Sequence, residues 1–125
     1  MPLVKIYVRK NRTADEVRAI GDAIHEALVA QANVPADDRF QILNRLDRDQ
    51  IVAHPSYGGV SRSEDIVVIE ITLNAGRTVE IKKNLYAGIV ARLQTLGVRP
   101  DDVLVSLVEV TKENWSFGGG RATYA

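Results

Sequence analysis

Cysteine is absent from the chain, which excludes disulfides, thiolate nucleophiles and thiolate metal sites together. Histidine occurs only twice, so a transition-metal centre is not expected. There is no excess of either charge: 16 basic residues face 16 acidic ones, and no basic run is long enough to argue for nucleic acid or a membrane surface. The chain also lacks a charged-then-apolar leader and any apolar run of about 18 residues. A cytoplasmic location is therefore expected. Proline is scarce too, with four in the chain, yet one follows Met1 directly at the edge of the strand-like "PLVKIYVR". Proline lacks the N–H that a ladder needs, but the first residue of a strand tolerates it. A second role exists, because a small penultimate residue allows methionine to be trimmed, and Pro2 then carries a free secondary amine.

What is present suits one soluble domain over 1–125, since 46% of its 125 residues are hydrophobic. Its organisation is an internal repeat. "VKIYVRKNRTADEVRAIGDAIHEAL" and "VVIEITLNAGRTVEIKKNLYAGIVARL" share the order apolar strand, polar turn, Arg-Thr, amphipathic helix. Arg12-Thr13 is answered by Arg77-Thr78, 65 positions later, and Asp37-Asp38 by Asp101-Asp102, 64 positions later. The repeat divides the chain into two β-α-β units, one over about 1–52 and one over about 66–125, joined by a turn-rich connector over 53–65.

Local signals place the elements. Thr13 with Glu16 fits a capping box, and Val17, Ile20, Ile24, Ala27 and Leu28 recur at helical spacing, so a helix is expected over roughly 14–31. Thr78 caps the second helix, whose stripe is Ile81, Leu85, Ile89, Leu93 and Leu96, with Gly97 as the stop. Strands are expected over Leu3–Val8, Phe40–Leu46, Ile66–Leu73 and Val103–Val110. Each strand-helix-strand crossover is right-handed with parallel strands. The fold class is thus α+β: tandem β-α-β units forming a four-stranded mixed sheet with two helices on one face. Two helices cover only one face, yet the strands are apolar on both: Leu3 and Tyr7 oppose Val4, Ile6 and Val8, and Val103, Val105 and Leu107 oppose Leu104, Val108 and Val110. Several copies are expected to pack sheet against sheet around a closed axis, with the glycine-rich tail "SFGGGRATYA" reaching a neighbour.

Pro2, the strand, Arg-Thr opening a helix, a second strand and the closing "KENWSFGGG" together resemble the tautomerase superfamily, in the form of a fused pair of 4-oxalocrotonate tautomerase units. "NVPADDRFQI", "SEDIVVIEIT" and "NWSFGGGRA" are most similar to malonate semialdehyde decarboxylase and its tautomerase-like relatives. The resemblance implies a homotrimer of doubled units that needs no cofactor and uses the Pro2 amine as its catalytic group. An α-amino group titrates near 7.7 to 8.0, and an apolar pocket with cations nearby penalises its ammonium form. The neutral amine is then a base suited to neutral pH. The implied reaction is enol-to-keto conversion of a small 2-hydroxydienoate or enolpyruvate-type carboxylic acid.

By the same resemblance Arg77 is the first choice to hold the substrate carboxylate and Arg12 the second, each otherwise a solvated residue ahead of a helix. Asp38 stands at an acidic position assigned to catalysis, though Asp37-Asp38 also reads as a turn before a strand. Asn74 is a substrate-binding candidate, and Trp115 and Phe117 match a hydrophobic wall that doubles as oligomer packing. His25 is expected to face solvent, and His54 is a weak acid-base candidate. The decarboxylases carry two arginines separated by a proline after the third strand, whereas "TLNAGRTVE" offers Asn74 and one arginine. Arg39 or Arg45 is left to compensate in space. Tautomerisation therefore ranks above decarboxylation or hydration of a 3-oxo acid such as malonate semialdehyde. If Met1 stays attached, a non-catalytic trimer that binds a carboxylate or acts as a scaffold is the remaining reading.

Overall fold

Two threonines set the helices. In the computed structural model, which describes residues 1–124, Thr13 Oγ1 accepts the Glu16 backbone N–H at 3.1 Å, and the Glu16 carboxylate accepts the Thr13 N–H at 3.3 Å. This reciprocal cap satisfies two otherwise orphaned donors and starts α1, Ala14–Ala32. Thr78 Oγ1 accepts the Ile81 N–H at 3.2 Å and opens α2, Val79–Thr95. Gly97 ends it at φ +83°, a conformation that favours glycine. Leu96 does not belong to the buried stripe: α2 stops at Thr95, the turn carries Leu96 outward, and Val98 takes the buried place. Ala125, the end of the expected second unit, lies outside the described residues.

The strands are β1 Pro2–Arg9, β2 Phe40–Leu46, β3 Val67–Asn74 and β4 Val103–Val110, in the order β2-β1-β3-β4. β1 with β2 and β3 with β4 are parallel, while the central pair β1 and β3 is antiparallel. The sheet is therefore mixed and symmetric about that central pair. Val4, Ile6, Val8, Val67, Ile69, Ile71 and Leu73 point to the helical face and are buried against Ile20, Ile24, Leu28, Leu85, Ile89 and Leu93. Each such side chain contributes about 1.5–3 kcal/mol relative to exposure, so this layer holds the fold.

The opposite face is less uniformly apolar than expected. Register lines up Ile42, Lys5, Glu70 and Ser106 across its middle, with Lys5 Nζ 3.7 Å from Glu70. One flanking row is Phe40, Leu3, Thr72 and Val108, and the other is Asn44, Tyr7, Val68 and Leu104. Glu70 follows Lys5 at the offset that separates Arg12 from Arg77, so this pair sits on the internal two-fold of the repeat.

The connector is tied to the β3–β4 half and to the end of β1. Arg9 donates from Nε to the Arg48 carbonyl at 3.3 Å, from Nη1 to Glu64 at 2.7 Å and from Nη2 to Ile51 at 2.8 Å. After β4, a 3₁₀ turn over Lys112–Asn114 leads into Trp115. The tail then closes on itself, with the Phe117 N–H donating to Thr123 Oγ1 at 3.1 Å. Among the described residues no helix is long and apolar enough to cross a membrane.

Candidate active site

Register brings the start of the chain to the β3–α2 loop. Pro2 is the first residue of β1, is buried, and lies opposite Leu73. Asn74 ends β3, and Ala75-Gly76-Arg77 then leads into α2. Because α1 runs back along β1, its C-terminus and the Pro35–Asp38 turn come to the same end, where Asp38 N–H donates to the Pro35 carbonyl at 3.0 Å. The Met1 ammonium lies 3.1 Å from Asp38 Oδ2, and only 20% of the Asp38 side chain is exposed. With Met1 in place the Pro2 nitrogen is an amide.

Arg77 reaches from its loop to the end of α1. Its Nε and Nη2 donate to the Ala32 carbonyl at 3.1 and 2.8 Å, and its Nη1 to the Asn74 carbonyl at 3.2 Å. The cation thereby meets the partial negative charge of a helix C-terminus. Three of the five N–H donors of a guanidinium are used, and two remain for a carboxylate. Asn74 accepts the Trp115 indole N–H on Oδ1 at 2.7 Å. Phe117 lies tilted against Trp115, 6.1 Å between centroids and 56° between planes, and Tyr124 meets Phe117 edge-on at 5.2 Å.

One further pair was not legible as part of the site. Lys82, in the first turns of α2, lies 2.7 Å from Glu109, which sits beside Leu73 in β4. The Glu109 carboxyl is held below the usual carboxylate range, chiefly by the Lys82 hydrogen bond, with the Gly76 N–H and the Arg77 charge adding to it. The signal in the sequence was a lone acidic residue inside the apolar run "VLVSLVEV".

Pro2, Asp38, Asn74, Arg77, Trp115 and Phe117 thus share one end of the sheet. Arg12 does not. It follows the far end of β1, about 25 Å away at the usual strand rise, where its Nη2 donates to the Asp65 carbonyl at 2.8 Å. Neither arginine left to supply a second cation does so within the chain. Arg39 binds Asp22 at 2.6 Å and Gln41 at 3.0 Å, and Arg45 donates to the carbonyls of Arg12 and Lys10. His25 is half-buried, with Nε2 2.8 Å from the Ala36 carbonyl, rather than turned to solvent. His54 Nδ1 accepts the backbone N–H groups of Ser56 and Tyr57, a turn-stabilising role. Among the described residues no three His, Asp or Glu side chains converge as metal ligands.

Comparison with known proteins bears on the fold and the family. Two family models, both described as Tautomerase enzyme, match residues 38–118 and residues 2–60. A probable tautomerase of Bacillus subtilis, YusQ, is 37% identical over 98% of this chain and 97% of its own. A crystal structure of malonate semialdehyde decarboxylase inhibited by 3-bromopropiolate superposes with a TM-score of 0.91 at 40% identity, covering 98% of this chain and 93% of that one. The same fold recurs in a fused 4-OT described as a symmetric trimer, with a TM-score of 0.79 at 22% identity over 98% of this chain and 97% of that one. With a doubled β-α-β sheet, a proline opening its first strand and relatives matched along nearly its whole length, the chain belongs to the tautomerase family.

Proposed function

We propose that this tautomerase, once Met1 is removed, uses the Pro2 amine as general base for enol-to-keto conversion of small 2-hydroxydienoate or enolpyruvate-type acids. The observation that carries the reading is Asp38 lying 3.1 Å from the Met1 ammonium, one residue ahead of the Pro2 nitrogen, at the strand end that adjoins Arg77 and its two remaining donors. Arg77 grips the substrate carboxylate in a planar fork. The Pro2 nitrogen takes the 2-hydroxyl proton, the O–H pair becomes the new C=O bond, and the displaced C=C pair takes the proton back on carbon. Asp38 stabilises the prolinium that exists between these two transfers. Trp115 and Phe117 keep water from the base.

The 125 residues act as one domain in this reading, with halves 1–52 and 66–125 joined by the 53–65 connector. Phe40, Ile42, Leu104 and Val108 on the open sheet face are 50%, 46%, 37% and 41% exposed. Such a surface suits a closed assembly of copies. The trimer described for the fused 4-OT is its pattern, and light scattering behind a sizing column checks it.

Decarboxylation of a 3-oxo acid is the second reading, favoured by the 40% identity to malonate semialdehyde decarboxylase. The single arginine of "TLNAGRTVE" weighs against it. The experiment is intact mass followed by the ultraviolet decay of phenylenolpyruvate and 2-hydroxymuconate. The expected protein lacks one methionine, and Pro2→Ala loses at least about a hundredfold in kcat/KM. Full retention of methionine, or an unchanged rate in Pro2→Ala, overturns the mechanism. Release of CO2 from malonate semialdehyde without ketonisation selects the second reading.

A further inference from the structure

We propose that Asn74 is a positioning residue: its side chain fixes Trp115, and with it the aromatic wall, to the strand end that also anchors Arg77. The inference rests on the catalytic reading above. The side-chain Oδ1 of Asn74 accepts the Trp115 indole N–H at 2.7 Å, and its main-chain carbonyl, which any residue at this position keeps, accepts from Arg77 Nη1 at 3.2 Å. The first distance is at the short end of the N–H···O range.

Asn74 can serve as an anchor because its own backbone is held. It pairs with Val110 in β4, and the ladder continues through the Ala75 N–H to the Val110 carbonyl at 2.9 Å. Trp115 lies outside the sheet, after a 3₁₀ turn, and its indole has a single donor. That donor is spent on Asn74, so the bond ties the tail to a rigid strand end. The other half of the molecule supplies an independent parallel. Arg9 precedes Asn74 at the repeat offset, and its side chain likewise fastens the segment packed over its end of the sheet, through the carbonyls of Arg48, Ile51 and Glu64. In each unit the last residue of the inner strand holds down a stretch of irregular chain that lies beyond the sheet.

Trp115 is the only tryptophan, so its fluorescence reports the contact without any substrate. Asn74→Ala is expected to lower the anisotropy of Trp115 and raise its quenching by acrylamide. Asn74→Thr, whose side chain suits a strand end but is too short to reach, does the same if the alanine variant does not fold. Asn74→Asp keeps the acceptor and retains the parent fluorescence, while its charge raises KM with little change in kcat. In kinetics, Asn74→Ala and Trp115→Phe each lose about fivefold in kcat/KM, the size of one neutral hydrogen bond, and the double variant loses no more than either. Parent-like quenching and anisotropy in both Asn74→Ala and Asn74→Thr overturn the proposal. So do losses that multiply in the double variant, because Asn74 then meets the substrate independently of Trp115. If no enol substrate is turned over, the catalytic reading fails while the fluorescence still decides whether Asn74 holds the indole.

Discussion

The two ends of the sheet are built from matching residues and do different work. At one end Pro2 begins β1, Arg77 precedes α2 and Asp38 faces the chain terminus at 3.1 Å. At the other, Val67 begins β3, Arg12 precedes α1, and Asp102, the counterpart of Asp38, is 1% exposed and accepts the Ser63 N–H and hydroxyl, both at 2.6 Å. Arg9 donates to the carbonyls of Arg48, Ile51 and Glu64, and Arg12 to that of Asp65. A carboxylate and an arginine in one layout thus meet a chain terminus in one copy and a covalent linker in the other. The same pair of residues faces the Met1 ammonium at one end and connector groups at the other.

The sharpest way to break this comparison is to alter the two strand starts. Pro2→Ala is expected to lose at least about a hundredfold in kcat/KM. Val67→Ala costs about 2 kcal/mol of stability by opening a cavity and changes kcat/KM less than about twofold. Stopped-flow rates and urea melts of both variants decide it. Equal kinetic losses would mean that the second end also turns over substrate.

Next come the paired carboxylates. Asp102→Ala leaves the Ser63 donors and Arg99 without their partner and is expected to cost about 3 kcal/mol, read from the urea midpoint. Asp38→Ala is expected to cost under about 1 kcal/mol while lowering kcat at least tenfold. The arginines rank third. Arg77→Lys removes the fork and raises KM about tenfold, whereas Arg12→Lys stays within about twofold of the parent in both constants.

The smallest effect belongs to Asp22 on α1, whose carboxyl is held below the usual range chiefly by the hydrogen bond from Arg39. A depressed folded pKa gives stability that is present above the ordinary aspartate value of about 3.9 and is lost as pH falls through the folded value. Asp22 is half exposed, so Asp22→Asn is expected to cost no more than about 0.5 kcal/mol at pH 7 and progressively less as pH falls below about 3.9. Thermal melts at pH 7 and below about pH 3.9 test this.

Much of the fold was legible because its signals are local. Thr13 with Glu16, Thr78 and the helical stripes each depend on neighbours within a few residues, and apart from Leu96 they lie where expected. Leu96 failed because the helix ended one residue before the stripe required it. For the candidate site the repeat aligned Arg77 with Arg12 and Asp38 with Asp102, and the family resemblance ranked Arg77 ahead of Arg12. The antiparallel register of Pro2 with Leu73 puts Arg77 at the Pro2 end and Arg12 at the far one, a long-range pairing that no local signal carries. Pairings across distant segments, such as Trp115 with Asn74 or Lys82 with Glu109, leave no periodic trace; they form only when β3, α2 and β4 come together.

Lys5 and Glu70 carry a consequence for how the halves recognise each other. Residues on a two-fold meet their own equivalents whenever a half pairs with a copy of itself, so two first halves would oppose ammonium to ammonium and two second halves carboxylate to carboxylate. Only the mixed pairing brings unlike charges together. Severed at the connector and expressed side by side, the halves should therefore sort into heterodimers, a preference that the exchange Lys5→Glu with Glu70→Lys would preserve and either change alone would erase.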